Sequence, residues 1–99
     1  MTYPYTIPIH ATVLPRLVVC AAIQKEGRII CGLRHLDMIM RNQLLAVDAR
    51  GGHGWEQGFM DNRGAFMSRE EALTVAKVAG QIRRRCGGDE RQLFSENLY

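Results

Sequence analysis

Arg34, His35 and Asp37 stand within four consecutive positions, just after Cys31-Gly32 closes an apolar run. An arginine fork suits phosphate or carboxylate oxygens, and a helix starting near Asp37 would add unpaired N–H groups at the same place. The plainer alternative leaves Arg34 solvated and uses Asp37 as a helix cap. Arg69 is a second candidate. It falls in the first turn of a helix announced by Ser68-Arg69-Glu70-Glu71, where a cation opposes the helix dipole. An anionic partner would account for it, and so would a salt bridge to Glu70 or Asp61. The third candidate is Arg83-Arg84-Arg85, a run that either ends in solvent or follows a nucleotide or nucleic-acid backbone. Trp55, Phe59 and Phe66 can stack on a base or fill a core.

Catalytic patterns are missing. His10, His35 and His53 are scattered, with no His-x₃-His or Cys-x₂-Cys pair, so neither a metal centre nor a cofactor is expected. There is no nucleophile elbow, Walker A loop or dinucleotide glycine fingerprint. Gly51-Gly52-His53-Gly54 could cradle a phosphate, but it does not lead directly into a helix and reads as a connector. Cys31, His35 and Asp37 are near enough in sequence to suggest a nucleophile and its base. A thiol inside an apolar strand is inert, however, so binding without catalysis is the expectation. The three cysteines, Cys20, Cys31 and Cys86, form no disulfide framework and read as free thiols of a reducing compartment.

The elements that must carry these groups follow from patterning. Leu17 to Ile23 and Arg28 to Cys31 form a first hairpin, turned by Lys25-Glu26-Gly27. Residues 38, 39, 40, 44 and 45 suggest a short helix from about Asp37 to Leu45, packed on the sheet. Val47 to Gly54 reads as a loop. Trp55 to Met60 and Ala65 to Met67 form a second hairpin around Asp61-Asn62-Arg63-Gly64. Ser68 and Glu71 make a reciprocal capping box for a helix that stops at Gly80, with Ala72, Val75, Ala76 and Ala79 as a close-packing stripe. Residues 83–88 form a basic, flexible stretch, and the tail from Leu93 to Tyr99 docks back on the body. The expected class is α+β, a small antiparallel sheet of two hairpins packed with two short helices. Residues 1–16, with Pro4, Pro8 and Pro15, form an extended N-terminal segment, and 17–99 form one ligand-binding domain.

Ninety-nine residues allow one modest core, which oligomerisation would help. With 46% hydrophobic and 23% charged residues the chain is globular, not disordered. It lacks an apolar run long enough for a membrane helix, and its first residues do not pattern as a signal peptide. A net charge of +3 mildly favours phosphate-bearing partners but is lower than nucleic-acid binders usually show.

The ordered set Gly32-x-Arg34-His35-x-Asp37, Gln57-Gly58-Phe59, Phe66-x-x-Arg69-x-Glu71-Ala72, Ala79-Gly80-Gln81 and Ser95-Glu96-Asn97-Leu98-Tyr99 resembles the phage Thoeris anti-defence sponge family, over residues 17–99. The resemblance implies a small oligomeric α+β protein, a dimer or a hexamer of dimers, acting in the host cytoplasm. Such proteins hold cyclic ADP-ribose isomers without degrading them, and some also hold the cyclic oligonucleotides of CBASS. By position, Arg69 is then the phosphate-holding arginine. Arg34, His35 and Asp37 line the pocket wall, with Gln57 and Phe59 on the strand motif and Phe66 and Arg83 completing the expected ligand set. Ala65 stands where the family often has arginine, so Arg63 or Arg83 would have to replace that contact, and Asn97 stands where aspartate is commoner. These departures leave the choice of signal open between the ADP-ribose isomer and cyclic oligonucleotides. The alternative function is a small nucleic-acid-binding phage regulator using Arg83, Arg84 and Arg85.

Overall fold

Two hairpins meet edge to edge in one antiparallel sheet. The computed structural model describes residues 15–47 and 53–99. Strands β1 (Val18–Lys25) and β2 (Arg28–Gly32) form the first hairpin, and β3 (Glu56–Asp61) and β4 (Phe66–Ser68) the second. Pairing of β1 with β3 gives the order β2-β1-β3-β4. Helix α1 (Met38–Val47) links the hairpins, and α2 (Arg69–Val78) follows β4 directly. The architecture is the expected α+β class. The proline-bearing lead-in before residue 15 and Gly51-Gly52 of the glycine loop lie outside the described residues.

Turn chemistry sets the registers. Lys25 pairs with Arg28, leaving Glu26 and Gly27 at φ 52° and 80°, the left-handed pair that a two-residue hairpin turn requires. In the second hairpin the Asp61 carboxylate accepts from the backbone N–H groups of Arg63 and Ala65, both at 2.8 Å. Arg16 Nε donates to the same carboxylate at 2.7 Å.

The core lies on one face of the sheet. Ala21, Ile23, Phe59 and Met67 meet Met40 and Leu44 of α1, Ala72, Leu73 and Ala76 of α2, and Leu93 and Leu98 of the tail. Complete burial of Ile23, Met40, Phe59, Met67 and Leu93 stabilises the fold by about 1.5–3 kcal/mol each relative to exposure. The small-residue stripe of α2 packs against this sheet. Helix α1 departs from expectation: Met38, Ile39 and Leu45 are exposed, because helical periodicity turns only Met40 and Leu44, four residues apart, inward.

The tail docks as expected, through a 3₁₀ turn at Ser95–Asn97. The basic stretch before it is not loose, contrary to expectation. The N–H groups of Arg83 and Arg84 both donate to the Asn97 carbonyl, at 2.7 and 3.3 Å. Asp89, buried, accepts two bonds from the Arg85 guanidinium at 2.8 Å each, one from Cys86 N–H and one from the Asn97 amide, both at 2.9 Å. Among the described residues no helix is long and apolar enough to cross a membrane.

Candidate functional site

The loop between β2 and α1 is fixed by one side chain. Asp37 caps α1 through Oδ1, which accepts from Met40 N–H at 2.8 Å, while Oδ2 accepts from the N–H groups of Leu33 and Arg34 at 2.8 and 3.0 Å. These bonds hold its carboxyl below the usual carboxylate range. Leu36 is held in the left-handed region at φ 56°, where a leucine is strained. Its N–H meets Met40 Sδ and its carbonyl accepts from Arg41 Nε at 2.6 Å. Of the two roles open to Asp37, the cap is the one its geometry serves, and that cap presents Arg34 and His35.

His35 turns inward. Its ring meets Phe59 edge-on, with centroids 4.9 Å apart, and Nε2 lies 2.7 Å from the Gly58 carbonyl. A carbonyl only accepts, so Nε2 carries the proton and Nδ1 of the neutral ring is bare. Arg69 Nη2 donates to that Nδ1 at 3.3 Å. Burial, partly offset by the Gly58 bond and reinforced by the Arg69 charge, holds the His35 pKa below its ordinary value. The ring is therefore neutral and a competent acceptor at neutral pH.

Arg69 is positioned by the start of α2. The cap is made: Ser68 Oγ accepts from Glu71 N–H at 3.1 Å. The Glu71 carboxylate, expected to reach back to Ser68, receives Arg16 Nη1 at 2.6 Å. Arg69 forms no ion pair with Asp61, whose carboxylate is occupied by Arg16 and its own turn. Its guanidinium instead packs over the Phe94 ring at 5.1 Å, and its Nε is buried without a hydrogen bond. Desolvation works against its charge, and Glu96 and Glu70 support it.

Arg34 reaches the same region from the other side. Its guanidinium donates to the Tyr99 carbonyl, lies 5.3 Å from the Tyr99 ring and stands 3.6 Å from Glu96 Oε1. The Glu96 charge therefore pairs with Arg34 and also supports the charged form of Arg69. Leu33, Arg34, Asp37 and Tyr99 line an open concavity of about 430 Å³.

The other candidates separate. Phe59 is fully buried and supports the His35 ring from within the core. Gln57 pairs with Ile23 within the sheet. Phe66 is half-buried, on the sheet face away from the helices, over Gly58. Arg83 is exposed on the segment bonded to Asn97. Arg85 is committed to Asp89. Glu96, Phe94 and Tyr99 join the site without having been singled out as ligand residues. Their signal was the tail from Leu93 to Tyr99, which reads as docking apolar chain. Among the described residues no three His, Cys, Asp or Glu side chains converge on a metal position.

A family model described as Phage T4 y16D protein matches residues 17–99. No curated protein and no solved structure matches the chain.

Proposed function

The chain belongs to the phage T4 y16D protein family, and from that premise we propose that it is a non-catalytic anti-defence protein that binds and sequesters cyclic nucleotide immune signals in the host cytoplasm. The signals are cyclic ADP-ribose isomers of the Thoeris kind, cyclic di- or trinucleotides of the CBASS kind, or both. The observation that carries this reading is Arg69: a partly desolvated guanidinium, backed by a neutral imidazole and an aromatic face, with one buried N–H direction unused. A buried donor without an acceptor costs about 1–3 kcal/mol, and a phosphate oxygen would remove that cost.

Three further features support it. The concavity beside Arg34 falls within the range of small-molecule sites, about 300–1,000 Å³. It is open, and a second copy of the chain would supply the wall that excludes water. His35 uses one nitrogen on Gly58 and turns the other to Arg69, so neither is left to act as base for Cys31. That favours holding a ligand over transforming it. The nucleic-acid alternative is weakened because Arg85 already neutralises Asp89.

A signal active at nanomolar concentration must be held with roughly −12 kcal/mol. The test is retention followed by release. The protein is incubated with a cyclic ADP-ribose isomer or a cyclic trinucleotide, filtered and heat-denatured, and the released compound is analysed. The parent should return at least one ligand chemically intact, and Arg69→Ala should return none while melting as the parent does. Altered product would mean an enzyme. Retention by Arg69→Ala equal to the parent would remove Arg69 from the site. A gel shift with steep salt dependence and no small-molecule retention would mean a nucleic-acid binder.

A further inference from the structure

Arg69 and Arg34 are unequally occupied. Arg69 meets an imidazole nitrogen and an aromatic face, and its buried Nε has no acceptor. Arg34, by contrast, is already served by oxygens of this chain. Its Nη2 donates to the Tyr99 carbonyl, its Nη1 stands 3.6 Å from Glu96 Oε1, and its guanidinium lies 5.3 Å from the Tyr99 ring. A phosphate offers a guanidinium the same kind of acceptor oxygens. The tail therefore places on Arg34 what an anionic ligand would place there.

The anchoring of the tail leaves these oxygens able to withdraw. Leu93, Ser95, Asn97 and Leu98 are buried, whereas Glu96 and Tyr99 are exposed. The N–H groups of Asn97 and Leu98 donate to the carbonyls of Phe94 and Ser95 at 2.9 and 3.0 Å, and the Tyr99 N–H reaches the Ser95 carbonyl at a longer 3.3 Å. Beyond Leu98, the contacts that hold Tyr99 are its hydroxyl, which donates to the Leu33 carbonyl, and Arg34 itself. The Arg34 and Glu96 side chains are 44% and 57% exposed, and an ion pair that open to water is weak. A phosphate can replace it while Asn97 and Leu98 stay in place.

We propose that Glu96 and Tyr99 act as an internal competitor for Arg34. They hold its guanidinium in the free protein and release it to the second anionic group of a ligand whose first is bound at Arg69. The proposal rests on the cyclic-nucleotide reading of the site and adds its regulation. Arg69 captures the ligand, and Arg34 closes on it once the tail lets go. A ligand with one anionic group has nothing to offer Arg34, so the tail stays where it is.

The test measures dissociation constants of the full chain for a cyclic ADP-ribose isomer and a cyclic trinucleotide by calorimetry. Glu96→Gln should tighten binding by about fivefold, the upper range for one exposed pair. Tyr99→Phe, which loses the bond to Leu33 and keeps the ring, should tighten it by about twofold. Arg34→Gln should weaken binding, and adding Glu96→Gln to that variant should change nothing further. In the parent, ligand should speed hydrogen exchange at the Tyr99 N–H and leave Leu98 protected. Tightening by Glu96→Gln that persists without Arg34 means general charge repulsion and overturns the proposal. Weaker binding by Glu96→Gln, or a Tyr99 N–H that ligand protects, overturns it as well. Failure of the functional reading looks different: neither the parent nor Glu96→Gln binds either compound, and both ideas fall together. Parental binding that ignores Glu96→Gln keeps the site and removes the competitor.

Discussion

His35 shows how one side chain serves folding and recognition together. Its Nε2–H satisfies a strand carbonyl, its ring edge meets Phe59, and its bare Nδ1 receives Arg69. Protonation would place a second donor and a positive charge against the guanidinium. The linkage has a definite sign. The unfolded chain takes up a proton near the ordinary value of 6.5, whereas the folded chain does so only at lower pH. Stability is therefore lost as pH falls below about 6.5, until the lowered native pKa is passed. His35→Phe keeps the ring contact but removes both polar bonds. It should flatten the melting midpoint across that interval and abolish ligand retention at neutral pH. An unchanged pH profile would show that His35 does not titrate in this way. In the sequence His35 was one of three dispersed histidines beside a cysteine. Its tautomer, and hence its use as an acceptor, depends on Gly58 lying 23 positions away.

The elements show why the loop and the helix start were partly readable. Ser68-x-x-Glu71 marked a helix N-terminus by spacing alone, and α2 begins there. Ser68→Ala removes the bond to Glu71 N–H and should cost about 1 kcal/mol in chemical denaturation. It should also loosen Arg69, the first residue of α2, so retention should fall more than stability alone accounts for. Retention that follows the stability loss and no more would limit Ser68 to a structural role. The second half of the capping box was not delivered, because Arg16 competes for Glu71 from 55 positions away. Such competition leaves no trace in a local pattern. For α1, apolar content announced a helix, but which residues point inward depended on the sheet behind it. Met40 and Leu44 are buried, whereas Met38 and Leu45, equally apolar, are not.

Across the whole molecule the tail is the decisive piece, since Phe94, Glu96 and Tyr99 reach the site only because Asn97 and Asp89 anchor it. Asp89 is held well below the usual carboxylate range, chiefly by its paired bonds to Arg85 and then by Cys86 N–H. Asp89→Asn should lower the melting midpoint by about 5 °C or more. Ligand retention should fall with it, because the segment bearing the site's aromatic groups loses its anchor. A variant that melts like the parent would show the anchor to be redundant. The sequence by itself determined the two hairpins, the cap at Ser68, the stop at Gly80 and the α+β class. These depend on turn residues, side-chain period and capping groups within a few positions of one another. Only the tertiary structure decided that Glu96 pairs with Arg34, that Arg69 turns to His35 and Phe94, that Arg85 is neutralised and that Phe59 supports the site from the core. Those outcomes depend on which distant groups compete for the same carboxylate or the same buried volume, and packing settles that competition.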